Sequence, residues 1–308
     1  MSVRPPRHGS LDAARGLATA AMVWVHLAPS PETGVGAWLW RAAEGGSAAL
    51  FFVLAGMAWG IDAAGWASTL RRAGALAALG ALLHARLWPT EVLLPLALAM
   101  VATRTVPSRR AAAAGLAVGA LAVATGAVRE AWAAVDWGDD GLHRGDRALG
   151  AATVRALLVD GNYPLLPWLA LPLLGKAAQG GERPFAGGPA RWGAGGAAAA
   201  LVAGAGGAAG WWRVAWVPTS PAFVALAGGG ALALTALLAR TASRARGERG
   251  PGGALAALGR LSLTHYVAHL LLVAVPLRWG WPAEDWPAGV GIAAAAGYLA
   301  LAAPLSSW

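Results

Sequence analysis

Apolar residues fall in long blocks along this chain, without the strict alternation of half-buried strands. Ten blocks read as membrane helices, at residues 12–29, 46–62, 72–88, 91–104, 111–128, 162–176, 193–210, 221–239, 254–276 and 287–304. At roughly 20 residues per span and with short loops, 308 residues hold about ten spans. The pattern therefore predicts an all-α, polytopic bundle forming a single domain over residues 1–308. Two stretches fall outside it. Residues 129–160 form the longest loop, with Asp136, Asp139 and Asp140 clustered, and residues 177–192 are a Gly/Pro-rich connector. The acidic cluster imitates part of a calcium loop but lacks the later carboxylate, so it reads as a solvated loop.

Composition agrees with the pattern. Hydrophobic residues make up 57% of the chain and charged residues 13%, which suits lipid rather than water as the surrounding solvent. The absence of cysteine excludes disulfides, thiolate nucleophiles and cysteine metal sites. The formal charge of +9 would suggest nucleic acid if it were spread over one face. Instead it alternates from loop to loop. Arg4, Arg7, Arg71, Arg72, Arg104, Arg109, Arg110, Lys176, Arg183, Arg191, Arg240, Arg244, Arg246 and Arg249 fall on one side. Most of the carboxylates, including Glu32, Glu44, Glu91, Glu130, Asp160, Glu284 and Asp285, fall on the other. By the positive-inside rule both termini are expected in the cytoplasm, and no nucleic-acid partner is expected. No cleavage site follows Val25-His26-Leu27, so the first block is expected to stay as a span. Tryptophans gather at the expected outer boundary, at Trp38, Trp40, Trp88, Trp132, Trp137, Trp211, Trp212, Trp216, Trp279, Trp281 and Trp286. They suit an interfacial belt, with carbohydrate stacking as the other reading.

Ionisable side chains are costly in hydrocarbon and persist where they pair or line a site. The first block carries Asp12, Arg15 and His26. Asp12 and Arg15, three residues apart, either neutralise each other or serve a site. His26 is either an interfacial histidine bonded to a carbonyl or a base. His265 and His269 share a face of the ninth helix at i and i+4, with His269 near the depth of His26. Zinc would need His26 or His84 as a third ligand, and only Asp12 is there to orient it, so no metal is expected. Asn162 and Tyr163, where the sixth helix begins, suit acceptor binding or helix capping.

Four stretches then carry a resemblance. Arg7-His8-Gly9-Ser10-Leu11-Asp12-Ala13-Ala14-Arg15-Gly16-Leu17-Ala18, followed by Met22-Val23-Trp24-Val25-His26, resembles the opening of the transmembrane acyltransferase superfamily. Leu50-Phe51-Phe52-Val53-Leu54-Ala55-Gly56-Met57 is similar to a signature of its acyltransferase-3 branch. The runs from Asp160 to Leu169 and from Gly259 to His269 resemble the heparan-α-glucosaminide N-acetyltransferase branch and its YeiB-type bacterial relatives. The resemblance implies transfer of an acyl group, usually acetyl, from cytoplasmic acyl-CoA to a sugar or envelope-glycan acceptor. The setting would be a bacterial cytoplasmic membrane, with a homodimer as a further option. It implies His26 as general base with Asp12 and His269 in the catalytic set. Arg15, Arg71 and Arg72 would hold the donor, and Asn162, Tyr163 and His265 the acceptor. Ala75 stands where acyltransferase-3 proteins carry the second arginine of an Arg-x-x-Arg motif. A transporter with a polar core, or an inactive family member, are the rival readings.

Overall fold

The computed structural model describes residues 9–61, 65–86, 91–129, 151–179, 185, 188–215, 219–242, 251–278 and 286–306. The acidic cluster at 136–140, the arginines at 4, 7, 183 and 244–249, Glu130, Glu284, Asp285 and Trp88, Trp132, Trp137, Trp216, Trp279 and Trp281 lie outside them. Among the described residues there is no strand. The helices are α1 (Gly9–Leu27), α2 (Gly34–Ile61), α3 (Trp66–Arg86), α4 (Leu93–Thr105), α5 (Ser108–Ala124), α6 (Ala151–Arg155), α7 (Leu165–Trp168), α8 (Ala170–Gln179), α9 (Pro189–Ala208), α10 (Pro221–Ala242), α11 (Pro251–Arg260), α12 (Ser262–Arg278) and α13 (Ala288–Leu305).

Each of the ten expected blocks overlaps a helix, but two of them are broken. Residues 162–176 are divided between α7 and α8, preceded by the π-helical turn Ala156–Asp160. Residues 254–276 become α11 and α12, bent by 80° around Leu261. By length and composition three helical stretches can cross a membrane, Gly34–Gly60, Ala151–Gln179 and Pro221–Thr241, or four if the bent pair is one span. The chain is thus all-helical with three to four candidate membrane spans.

Local chemistry explains several helix ends. The Glu91 carboxylate accepts from the backbone N–H groups of Leu93 and Leu94, satisfying two orphan donors at the start of α4. Ser220 caps α10, its Oγ accepting from Phe223 N at 3.1 Å, with Pro221 at the first helical position. At the end of α9, Gly210 adopts φ +75° and Trp211 N donates to Gly206 O at 2.9 Å, a left-handed stop that a side chain would resist.

The chain packs as two compact units, Met1–Leu50 with Leu234–Trp308, and Phe51–Ala233. In the first, α1 and α11 cross with backbone against backbone. A Cβ at Gly16 would strike the Leu255 carbonyl, and one at Gly259 the Asp12 carbonyl. Gly291 of α13 also lies close against the Leu27 carbonyl. In the second unit Gly56 of α2 meets the Pro172 carbonyl of α8, and Gly175 returns the contact at the Val53 carbonyl. Gly196 of α9 and Gly229 of α10 face each other's carbonyls. Close backbone approach of this kind is how helices pack where hydrophobic association gives no advantage. Around the α2–α8 crossing, Phe52, Leu54, Met57, Leu171 and Leu173 are fully buried. Trp168 is also fully buried, its ring 5.2 Å from Phe52 and 5.1 Å from Tyr163, and its Nε1 donates to Thr219 Oγ1 at 3.1 Å.

Gly259→Ala should therefore destabilise the protein by about 1–3 kcal/mol, because the added methyl has only backbone to meet. Gly230→Ala, at a helical position with open space, should be neutral or up to about 1 kcal/mol stabilising. Thermal melting of both variants in the same detergent measures the difference; equal melting temperatures would contradict the crossing.

Candidate functional site

The candidate site residues of the first unit separate into three groups. At the start of α1, Asp12 is buried and accepts from Arg15 Nη1 at 2.7 Å, one helical turn away. Fourteen residues separate Asp12 from His26 on the same helix, about 21 Å at the helical rise. The structure therefore pairs Asp12 with Arg15 and does not bring its carboxylate to the imidazole. Arg15 keeps a partly exposed side chain, 25% accessible, so its guanidinium can reach a further anion.

The second group is a pair of imidazoles. His26 at the end of α1 and His269 on α12 have ring centroids 5.1 Å apart, tilted at 58°. Each ring is oriented by its own helix in the same way. His26 Nδ1 donates to Met22 O at 2.8 Å and His269 Nδ1 to His265 O at 3.2 Å. A carbonyl only accepts, so both Nδ1 atoms carry a proton, and whenever either ring is neutral its Nε2 holds the lone pair. His269 is fully buried, and its Nε2 has no hydrogen-bond partner among the described residues. Tyr266 adds an edge contact to the His269 ring at 5.5 Å. A buried lone pair left without a donor is costly, and a water or a bound donor group would satisfy it.

His265, expected to bind the acceptor, forms the third group. Ser306 Oγ donates to Ala302 O at 2.7 Å, so the 2.8 Å contact with His265 Nε2 is a donation from the imidazole. The Tyr298 hydroxyl lies 2.9 Å from Nδ1 and 3.4 Å from the His265 carbonyl, and its one proton is shared between them. Both ring nitrogens are spent on α13, and His265 ties α12 to α13. Tyr298 and Ser306 were not singled out from the sequence; Tyr298 lies inside the last apolar block and Ser306 just beyond its end, eight residues on.

In the second unit, Arg72 lines a cavity between α2, α3, α4 and α8 together with Trp59, Thr69, Met100, Arg104 and Lys176. Arg71 is exposed and is not among these lining residues. Asn162 is buried, its backbone carbonyl accepting from Thr219 Oγ1 at 3.3 Å, and Tyr163 stands edge-on to Trp168. The two therefore brace the turn before α7. Arg155 and Asp160 pair at 3.1 Å across the π-helical turn. Among the described residues no three His, Cys, Asp or Glu side chains come together as a metal site would need.

The chain matches no protein-family model, no curated protein and no solved structure.

Replacing His265 by Ala should cost about 1–3 kcal/mol of stability, since Tyr298 and Ser306 each lose a buried partner. Tyr298→Phe should cost about 1 kcal/mol. Thermal unfolding in detergent reads both, and an His265→Ala protein as stable as the parent would show that the α12–α13 tie is not made.

Proposed function

We propose that this chain is a membrane-embedded acyltransferase, moving an acetyl or similar acyl group from cytoplasmic acyl-CoA to a sugar or envelope-glycan acceptor. The frame would be about ten spans with both termini in the cytoplasm of a bacterial cell. The reading rests on one observation above all. Two imidazoles stand together with Nδ1 locked on backbone carbonyls, and His269 Nε2 is buried without a donor.

A neutral imidazole can take a proton as a general base. In the proposed step the acceptor oxygen or nitrogen attacks the thioester carbonyl carbon while His26 Nε2 takes its proton. The tetrahedral adduct collapses with cleavage of the C–S bond, and the departing thiolate recovers the proton from the imidazolium. His269, beside His26, offers its lone pair to an O–H or N–H of the bound acceptor and so orients it. Eleven residues separate Arg15 from His26, about 16 Å along α1, comparable to a pantetheine arm. Arg15 is accordingly assigned to the donor's phosphates, and Asp12 to holding Arg15 in place. In the second unit Arg71 and Arg72 are the further candidates for donor contacts, and Asn162 and Tyr163 for acceptor contacts.

A transporter without chemistry is the second reading, favoured by the 80° break between α11 and α12, since discontinuous helices build transport sites. Acyl transfer releases free coenzyme A and transport does not. Because the chain has no cysteine, a thiol-reactive chromophore sees released coenzyme A without background from the protein.

With acetyl-CoA and a panel of amino and hydroxyl sugars as probe acceptors, the purified protein should release thiol in an acceptor-dependent manner. His26→Ala should lower that rate by about a hundredfold or more. Its calorimetric affinity for acetyl-CoA should stay within about twofold of the parent. An undiminished rate, or a loss of binding that accounts for the whole loss of rate, would overturn His26 as base. Arg15→Ala should weaken acetyl-CoA by about tenfold while leaving a phosphate-free pantetheine thioester unaffected. An equal loss for both ligands would remove the phosphate assignment.

A further inference from the structure

Two exposed apolar faces of the second unit begin in arginine at the same end. On α3, Arg71 is exposed and heads the exposed positions Gly74, Ala78 and Leu82, which recur every three or four residues. On α5, Arg109 and Arg110 are exposed and head Ala113, Leu116 and Ala120 in the same way. Both helices start at that end. Trp66, in the first turn of α3, lies under the Arg104 guanidinium of the last turn of α4, at 6.0 Å. Lys176 Nζ then joins the end of α4 to the approach to α5, donating to Thr103 O at 3.0 Å and Val106 O at 2.6 Å.

The length of each face matches a lipid leaflet. Arg71 to Leu82 is eleven residues, about 16 Å, and Arg110 to Ala120 is ten residues, about 15 Å. Half of a hydrocarbon core is about 15 Å deep. An apolar face of one leaflet's depth therefore sets the arginines at its head among the headgroups. Trp66 and Leu70, one turn apart and 47% and 53% exposed, add the aromatic and aliphatic surface that suits this level. The Arg71, Arg109 and Arg110 side chains make no hydrogen bond or ion pair among the described residues. Arg72 and Arg104 have interactions of their own within the chain and are no part of this surface. A guanidinium without a protein partner at the headgroup level pairs with the two oxygens of a phosphodiester, and the ammonium of a zwitterionic headgroup opposes that pairing.

We propose that Arg71, Arg109 and Arg110 bind the phosphodiester headgroups of acidic phospholipids, whose acyl chains lie along the exposed faces of α3 and α5. Such binding needs α3 and α5 to stand in a bilayer, as the ten-span frame above has them, and does not depend on acyl transfer. Arg71 is also a candidate for the donor's phosphates; its place at the head of an apolar face favours the lipid.

The test is native mass spectrometry of the full-length protein released from micelles that hold phosphatidylglycerol and phosphatidylcholine of the same acyl chains in equal amounts. The ratio of the two lipids retained is the readout. Phosphatidylglycerol should be retained in about fivefold excess or more. Changing Arg71→Gln, Arg109→Gln and Arg110→Gln together should lower that ratio about fivefold or more, while lysine at all three positions should keep it. The three side chains are exposed, so the variants should melt as the parent does; if the triple variant does not fold, each single glutamine change reads the same ratio in smaller steps. Retention that persists in excess coenzyme A upholds the lipid surface. A ratio near one in the parent, or a ratio unmoved in the folded glutamine variants, overturns it. Phosphatidylglycerol displaced by coenzyme A would assign the arginines to a soluble phosphate donor and overturn it as well.

Discussion

Helix crossings at glycine, close enough for backbone to touch backbone, are the constraint on which the rest of this structure depends. A chain built so heavily from Ala and Gly has few large side chains with which to interlock its helices, and in a lipid surrounding burial of apolar surface gives little preference for one packing over another. Backbone contact supplies that preference. Gly16 and Gly259 fix α1 against α11 in one unit, while Gly56 with Gly175 and Gly196 with Gly229 do the same in the other. None of these contacts survives a methyl group without movement of a main chain, so the positions carry more of the fold than the surrounding alanines do.

The candidate chemistry follows from the first of these crossings. α11 leads through the bend at Leu261 into α12, so the Gly16–Gly259 contact anchors both α1 and the start of the α11–α12 pair. From that anchor His26 lies ten residues along α1 and His269 ten residues beyond Gly259, and their rings meet. Polar residues on α13 then hold α12 through His265, leaving His269 oriented only by its own helix. One buried histidine is thus consumed by structure and its neighbour one turn away is not. In the second unit Lys176 does both, closing the end of α4 and lining the cavity beside Arg72 and Arg104.

Much of this was legible in the sequence, for identifiable reasons. Apolar block length located a helix at each expected segment, because hydrocarbon and helix both demand long uninterrupted runs. The i, i+3 spacing of Asp12 and Arg15 left their ion pair as one of two readings, and depth counting allowed the meeting of His26 and His269. Block length did not show that α2 begins at Gly34, twelve residues before the expected start, since Arg41 and Glu44 lower the local hydropathy without interrupting the helix. Nor did it show the break at Leu261, which no proline marks. The partners of His265 are 33 and 41 residues away and so invisible to local spacing. The cavity beside Lys176 draws its three charges from three different helices, and only the packing reveals that Arg104 and Lys176 belong with Arg72 while Arg71 does not.

The central claim is that two imidazoles are held with Nδ1 protonated on backbone carbonyls, with His269 Nε2 buried and without a donor among the described residues. Nitrogen NMR of histidine-labelled protein in detergent, with His26→Ala and His269→Ala used to assign the two rings, reads the tautomer of each directly. The account predicts both rings neutral at pH 7, protonated at Nδ1, with the Nε2 resonance of His26 shifting when His269 is removed. Rings protonated at Nε2, or charged at that pH, would contradict it.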